Sequence, residues 1–325
     1  MIDQVQTVLL AGGFGTRLWP LSQQAHSKQF LKLIGDKSLL EQMLTRLQEA
    51  FRDPPVIVCN HSQETIAEKQ WRLANVEPRK VLLEPTSLGT AGAIALAAIR
   101  EISSGQKSLM LAMPVDSYFE ETCQFSSCVE ASAKFALQGK IIMFGIPPRS
   151  ADTNYGYVRV ENSTEPGISE VLSFEEKPTS ENAKNYFDSG EYLWNSGIYL
   201  FRPQDYMDEL EKFRPDLLAA CYKVAETGLE DSIFMRYEST SLAFSSESVD
   251  RAVMENTAKA VIKVCDMKWV DLGSWRSLFE SQQRDANENV IVGNAISFNT
   301  KNWELYTIVT KNGNVDKERC VILRY

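Results

Sequence analysis

Through the first half of the chain, short apolar runs alternate with longer segments whose apolar residues recur every three or four positions. Runs at 5–10, 56–59, 81–83, 109–113 and 141–146 read as buried strands, because a strand covered on both faces needs no polar alternation. After the first comes SLLEQMLTRLQEAF, where Leu39, Leu40, Met43, Leu44 and Leu47 share one helical face. Ser38 and Glu41 stand ahead of it at capping-box spacing. TAGAIALAAIREI is helical by propensity, with Thr90 its expected N-cap. This alternation predicts an α/β fold: a Rossmann-like, mostly parallel (mixed) central sheet with helices on both faces.

The pattern shifts near residue 154. NYGYVRV and VLSFEEKP have strand character and flank the turn-prone ENSTEPG, which predicts an antiparallel insertion at about 154–202. A helix over 181–188, a strand in WNSGIYLF and a polar helical region through 255 complete that half. Beyond 287 the chain is strand-like, polar and punctuated by Asn and Gly. The expected division is a main unit over 1–286 and a short C-terminal β-rich module over 287–325.

Composition removes several functions from consideration. The 325 residues are 44% apolar and 24% charged, the balance of a soluble globular protein. The apolar run at 91–99 is too short to span a bilayer and no export signal is visible. No membrane contact is therefore expected, and the expected location is the cytoplasm. A net charge of −9 argues against a nucleic-acid surface. Any bound anion must then be held by a few focused cations and backbone N–H groups. The six cysteines form no C-x-x-C pair and read as a reduced set. With two histidines, His26 and His61, a His-rich zinc site is a poor candidate.

Candidate chemistry begins in VLLAGGFGTRLWPLSQQAHSKQFL, where an apolar run ends in Gly12, Gly13 and Gly15 and is followed by Arg17 and Lys28. The Walker spacing G-x-x-x-x-G-K-[ST] is absent, and the third glycine of a dinucleotide fingerprint is replaced by Leu18. Glycines allow close backbone approach, an arginine fork grips phosphate oxygens, and a lysine adds a point charge. A tight strand-to-helix turn is the plain alternative.

These residues resemble the signature of the sugar-1-phosphate nucleotidyltransferases, and RLWPLS with KQFL is similar to their mannose-1-phosphate guanylyltransferase branch. Five further blocks fit in order: LEPTSLGTAGAIALAA, MPVDSYF, FGIPPRSADTNYGYV, FEEKPTSENAKNYFDSGEYLWNSGIYLFRP, and SVDRAVME with KWVDLGSW. The resemblance covers about residues 8–280. It implies attack of a sugar-1-phosphate oxygen on the α-phosphorus of a nucleoside triphosphate, with GTP, mannose-1-phosphate and Mg²⁺ as the expected partners. It also implies a partial left-handed β-helix at the C-terminus and a homodimer.

By the same resemblance, Arg17 and Lys28, with the Gly12 and Gly13 N–H groups, face the leaving pyrophosphate. Asp116 and Asp271 hold the metal. Lys177 meets the sugar phosphate, Glu176 and Asn195 the sugar hydroxyls, and Gly156 offers backbone groups. Glu84 and Thr90 flank a loop expected to face the base. Plainer roles stand beside these: Lys28 as a solvated loop lysine, Asp116 as an N-cap, and Asp271 and Asn195 as turn residues. Glu176 with Lys177 could be an exposed ion pair, and Trp194 and Trp275 core or pocket walls.

The chain also departs from the family wording. Ser27 replaces a proline, and Leu88, Gly89 and Gly92 stand where Arg, Asn and Pro are common. Ser117 follows Asp116 in place of a histidine, Asn154 replaces a glycine, and Arg251 a tyrosine. The ionic residues are kept while the base loop is altered. Two alternatives to GDP-mannose formation follow: a different base or sugar-1-phosphate, or a sugar-nucleotide-binding paralogue with impaired turnover.

Overall fold

In the computed structural model the apolar runs become strands with nearly the expected bounds. The structure describes residues 5–13, 15–23, 27–105, 108–119, 121–161, 167–239, 245–292, 301, 303–312 and 315–324. In chain order, β1 (Val5–Leu10) leads to α1 (Leu39–Ala50), β2 (Val56–Asn60), α2 (Glu64–Ala74), β3 (Lys80–Glu84) and α3 (Gly89–Ser103). Then come β4 (Leu109–Pro114), a short β5 (Ser117–Phe119), α4 (Thr122–Leu137) and β6 (Ile141–Ile146). The second half contributes β7 (Tyr157–Val160), β8 (Ile168–Glu175), α5 (Ser180–Ser189) and β9 (Tyr192–Phe201).

Residues 203–255, expected to be one helical region, are more varied. They form α6 (Pro203–Phe213), α7 (Pro215–Glu226), a hairpin of β10 (Leu229–Asp231) and β11 (Phe234–Arg236), and a π-helical turn, Asp250–Met254. Prolines at the starts of α6 and α7 restart the helix after each break, as their missing N–H costs nothing there. β12 (Ala260–Val264), β13 (Trp269–Asp271) and α8 (Trp275–Ser281) close the main unit.

One eleven-stranded sheet runs β10-β11-β3-β2-β1-β4-β9-β6-β12-β8-β7. It is mixed. β11, β3, β2, β1 and β4 form a parallel block, whereas β9 lies antiparallel between β4 and β6. The expected insertion is present, and its last strand lies inside the main sheet. Side chains alternate across the sheet with period two: Val5 and Leu9 enter one core, Val8 the other. α1, α2 and α4 cover the first face, and α3, α6 and α7 the second.

Ser38 caps α1: its Oγ accepts from the Glu41 N–H at 3.1 Å and donates to Gln70 Oε1 at 2.6 Å. Thr90 does not cap α3; Leu88 holds that position, because Thr90 already lies in the first helical turn. The C-terminal module is β-rich, with β14 (Val290–Val292) parallel to β15 (Trp303–Asn312) and β15 antiparallel to β16 (Val315–Arg324). The partial left-handed β-helix is not confirmed, since a ten-residue antiparallel hairpin has no place in a coil of parallel rungs. The part of that expectation on residues 293–300, and residues 162–166 of the turn expected over ENSTEPG, lie outside the described residues. Among the described residues no helix is long and apolar enough to cross a membrane.

Replacing Ser38 by Ala removes the cap and strands the buried Gln70 acceptor. Urea denaturation should register a loss of about 1–3 kcal/mol; an unchanged midpoint would contradict the cap.

Candidate active site

The carboxyl ends of β1 and β4 open into a cleft of about 490 Å³, the place where open α/β sheets bind ligands. Every candidate residue from the sequence lines it: Gly12, Gly13, Arg17, Lys28, Glu84 and Thr90, then Asp116, Gly156, Glu176, Lys177, Asn195 and Asp271. Gln29, Tyr155, Asp250 and Trp269, to which no motif assigns a role, line it too.

The glycine loop is held by Gln29, whose Nε2 donates to the carbonyls of Ala11 and Gly13, the latter at 2.8 Å. Gly15 has φ +60°, and a Cβ there would meet Lys28 Cγ at 2.7 Å. Glycine is thus required twice over, for the left-handed backbone and for passage of the lysine stem. Lys28 is mostly buried, its side chain 13% exposed, so it is no solvated loop lysine.

Strand pairing assembles the acidic centre. β13 runs antiparallel to β5 with Asp271 opposite Ser117, and the Leu272 N–H donates to the Asp116 carbonyl at 3.2 Å. The Asp116 and Asp271 carboxyls meet in a hydrogen bond. Lys28 Nζ forms an ion pair with Asp116 and lies 3.9 Å from Asp271. Burial disfavours charge on Lys28, but Asp116 and Asp271 outweigh it and its pKa is raised. Burial also works against ionised Asp116, yet Lys28 holds its carboxyl below the ordinary value. Asp271 is pushed up to about 6 by burial and by Asp116, against Lys28 and Arg17. Asp116 does not cap the next helix, which starts at Thr122 behind Glu121. Asp271 does close a turn, its carbonyl accepting from the Gly273 N–H at 2.8 Å, while its carboxyl faces the cleft.

Two touching carboxyls with a single close lysine form an oxygen donor set suited to a divalent cation. The described residues contain no group of three or more His, Cys, Asp or Glu that could hold a metal. A cation here would complete its shell with ligand phosphate oxygens and water, as Mg²⁺ commonly does.

At the Gly12 end, Glu84 is 3% exposed, and its Oε1 has no hydrogen-bond partner. Burial pushes its pKa up to about 8, with a backbone hydrogen bond from Leu88 opposing. A Cβ on Gly12 would lie 2.7 Å from Glu84 Oε2, so glycine leaves room for the carboxyl. Thr90 has a different task, its Oγ1 accepting from the Val249 N–H at 2.9 Å.

At the other end, Glu176 and Lys177 pair at 2.6 Å, the lysine half-exposed and the glutamate mostly buried. Lys177 has φ +51° immediately before Pro178, a backbone state costing about 1–3 kcal/mol that tends to persist at working sites. Asn195 lies within β9 and lines the cleft, and it organises no turn: its Oδ1 accepts from the Gly197 N–H at 3.1 Å where the β6–β9 register shifts. The Tyr155 ring packs 4.7 Å from Trp194 and 5.2 Å from Trp269, making an aromatic wall. Trp194 is core against that wall, and Trp275 packs against the same core from α8.

A mixed α/β sheet with a cation-lined cleft at its strand ends defines a protein built to hold phosphorylated ligands. A sequence model described as Nucleotidyl transferase matches residues 6–288, and the chain belongs to that family. It is 41% identical over 312 residues to a mannose-1-phosphate guanylyltransferase of Escherichia coli, covering 94% of this chain and 65% of that protein. It is 40% identical over 306 residues to the xanthan biosynthesis protein XanB of Xanthomonas campestris, with the same coverage of 94% and 65%. The chain thus spans about 65% of the length of these relatives. A crystal structure titled as a mannose-1-phosphate geranyltransferase from Thermus thermophilus shares the fold, with TM-score 0.82, 24% identity, and coverage of 98% of this chain and 95% of that one.

If Asp116 and Asp271 hold a divalent cation, Asp116→Asn and Asp271→Asn should each abolish Mn²⁺ binding measured with a nucleoside triphosphate present. Circular dichroism should stay native. Undiminished Mn²⁺ binding in both variants would refute the assignment.

Proposed function

We propose that the chain transfers GMP from GTP to mannose-1-phosphate, giving GDP-mannose and pyrophosphate, with Mg²⁺ as its metal. The observation that carries this reading is the Lys28–Asp116–Asp271 cluster midway along a cleft with a buried acceptor, Glu84, towards one end and Glu176 with Lys177 towards the other. The names of relatives about 40% identical favour this member of the family over others. The division into a catalytic unit over 1–286 and a β-rich module over 287–325, and a homodimer, belong to the same reading.

The mechanism is one of positioning and neutralisation, because the reaction gathers several negative charges. Arg17, Lys28 and the Gly12 and Gly13 N–H groups would hold the β- and γ-phosphates that depart. Lys177 would hold the sugar phosphate, whose oxygen attacks the α-phosphorus in line. Asp116 and Asp271 would hold Mg²⁺, whose charge would offset that developing at the α-phosphate. Until ligands arrive, Lys28 keeps Asp116 ionised and ready for the cation.

Glu84 gives a physical basis for guanine. Its carboxyl, with Oε1 unpartnered, can accept from a purine's N1–H and N2–H₂, and adenine has no N1–H to offer. The Cys59 and Cys221 thiols feel its charge, both pushed up by burial first and by Glu84 after it. Glu84 must ionise to accept two hydrogen bonds, so base binding releases a proton below pH 8.

A second reading, another base or an impaired paralogue, draws on the altered loop. Leu88 is fully buried where the family carries arginine, so the loop has lost a cation. A Cβ on Gly92 would lie 2.5 Å from Leu88 Cβ, so the two replacements compensate each other sterically. The loop is repacked, which favours retained function.

Pyrophosphate release with mannose-1-phosphate and Mg²⁺ should occur with GTP and not with ATP, UTP or dTTP. Release with another nucleotide would overturn the base assignment, and none with any sugar phosphate would favour the impaired paralogue. The GTP KM should fall about tenfold per pH unit as pH rises towards 8 and then level off; Glu84→Gln should flatten that profile. Glu84 carries an extra proton in the folded chain between its ordinary value of 4.5 and about 8, so its contribution to stability falls as pH rises through that window.

A further inference from the structure

Asp250 opens the π-helical turn Asp250–Met254, a conformation often found at working sites, and it lines the cleft at the Asn195 end. Its Oδ1 accepts two hydrogen bonds, from Asn195 Nδ2 at 2.7 Å and from the Tyr199 hydroxyl. Its Oδ2 accepts none among the described residues. Asn195 is occupied in return. Its Nδ2 also lies 2.9 Å from the Tyr199 oxygen, and its Oδ1 takes the Gly197 N–H. A carboxylate outcompetes an amide oxygen for the tyrosine proton. Both hydrogens of the Asn195 amide are therefore used within the protein, and none is left for a ligand.

The backbone ahead of Asp250 is fixed from the other end of the cleft. Thr90 Oγ1 holds the Val249 N–H, and the Glu247 carbonyl accepts from the Ala91 N–H at 3.2 Å. Gly89, with φ +75°, leaves no room for a Cβ beside that carbonyl, which explains glycine where the family has asparagine. Asp250 is thus anchored through β9 by its side chain and through α3 by its backbone. The charge on Asp250 and on Glu176 is felt by Glu255, whose carboxyl is raised by partial burial and by both, with Arg251 opposing. The carboxylates of Asp250 and Glu176 suit hydroxyl donors, while Lys177 beside them supplies the cation for a phosphate.

We propose that Asp250 is the specificity-determining acceptor for the sugar's hydroxyls, its free Oδ2 receiving their hydrogen bonds, and that Asn195 and Tyr199 are positioning residues that hold it. This rests on the proposed reading that the ligand is a sugar-1-phosphate. It also alters the role of Asn195, which acts through Asp250 and has no amide hydrogen left to donate to a hydroxyl. A partly buried acceptor built to receive a substrate hydroxyl discriminates against an analogue lacking it.

The test measures calorimetric binding and KM for mannose-1-phosphate, its monodeoxy analogues and several other hexose-1-phosphates, in wild type, Asp250→Asn, Asn195→Ala and Tyr199→Phe. Asp250→Asn should weaken mannose-1-phosphate at least tenfold, leave the GTP KM within twofold, and abolish discrimination against at least one deoxy analogue. Tyr199→Phe, which preserves packing, should shift the sugar KM in the same direction by less. The Asn195→Ala and Asp250→Asn double variant should be no worse than Asp250→Asn alone, because the asparagine works through the carboxylate. Full additivity, or intact deoxy discrimination in Asp250→Asn, would overturn the proposal. If wild type prefers another hexose-1-phosphate, the mannose assignment fails, while the same comparison on that sugar still decides the role of Asp250. A wild type that binds GTP but no sugar phosphate overturns both.

Discussion

The site depends on one contact: Lys28 against the touching carboxyls of Asp116 and Asp271. Two partly buried carboxyls this close cannot both ionise freely, and the lysine charge decides which does. Asp116 is driven ionised, whereas Asp271 is left at about 6. The cluster therefore sets two acids against Lys28, with Arg17 also acting on Asp271. A divalent cation and the phosphates it would carry have a charge pattern complementary to it.

The backbone around this contact is organised to keep it. Gln29 ties the glycine loop through the Ala11 and Gly13 carbonyls, and Gly15 lets the Lys28 stem pass beneath that loop. The β5–β13 pairing sets Asp271 beside Asp116 more rigidly than two free loops could. β9, lying between β4 and β6, carries Asn195 and Tyr199 to the opposite end of the same cleft. The two ends are linked by Thr90 and Gly89 gripping residues 247–249, so the loop near Glu84 and the turn of Asp250 form one rigid strut.

Much of the α/β half was legible because its information is local. Apolar runs marked β1, β2, β3, β4 and β6 to within a residue or two, and the spacing of Leu40, Met43, Leu44 and Leu47 marked the buried face of α1. The polar stretch after residue 203 was less legible, since a hairpin that joins the edge of a sheet through only three residues leaves little periodic trace. Thr90 misled as an N-cap because the αL state of Gly89 advances the helix start, and backbone state is weakly encoded in composition. Asp250 stands inside the SVDRAVME block, yet an aspartate there shows no chemistry of its own until Asn195 and Tyr199 are folded against it.

The sequence by itself determined the strand and helix segments of the first half, the glycine loop with its flanking cations, and the family to which those motifs belong. These follow from short-range patterns, in which hydrophobic period and residue type act within a few positions of one another. Tertiary structure alone decided that Asp116 and Asp271 touch, that Glu84 is buried with Oε1 unpartnered, that β9 enters the centre of the sheet, and that Asn195 is spent on Asp250. Each of these is a pairing across long stretches of chain, set by strand register and by the dielectric of a buried cleft, and neither exists before the chain folds.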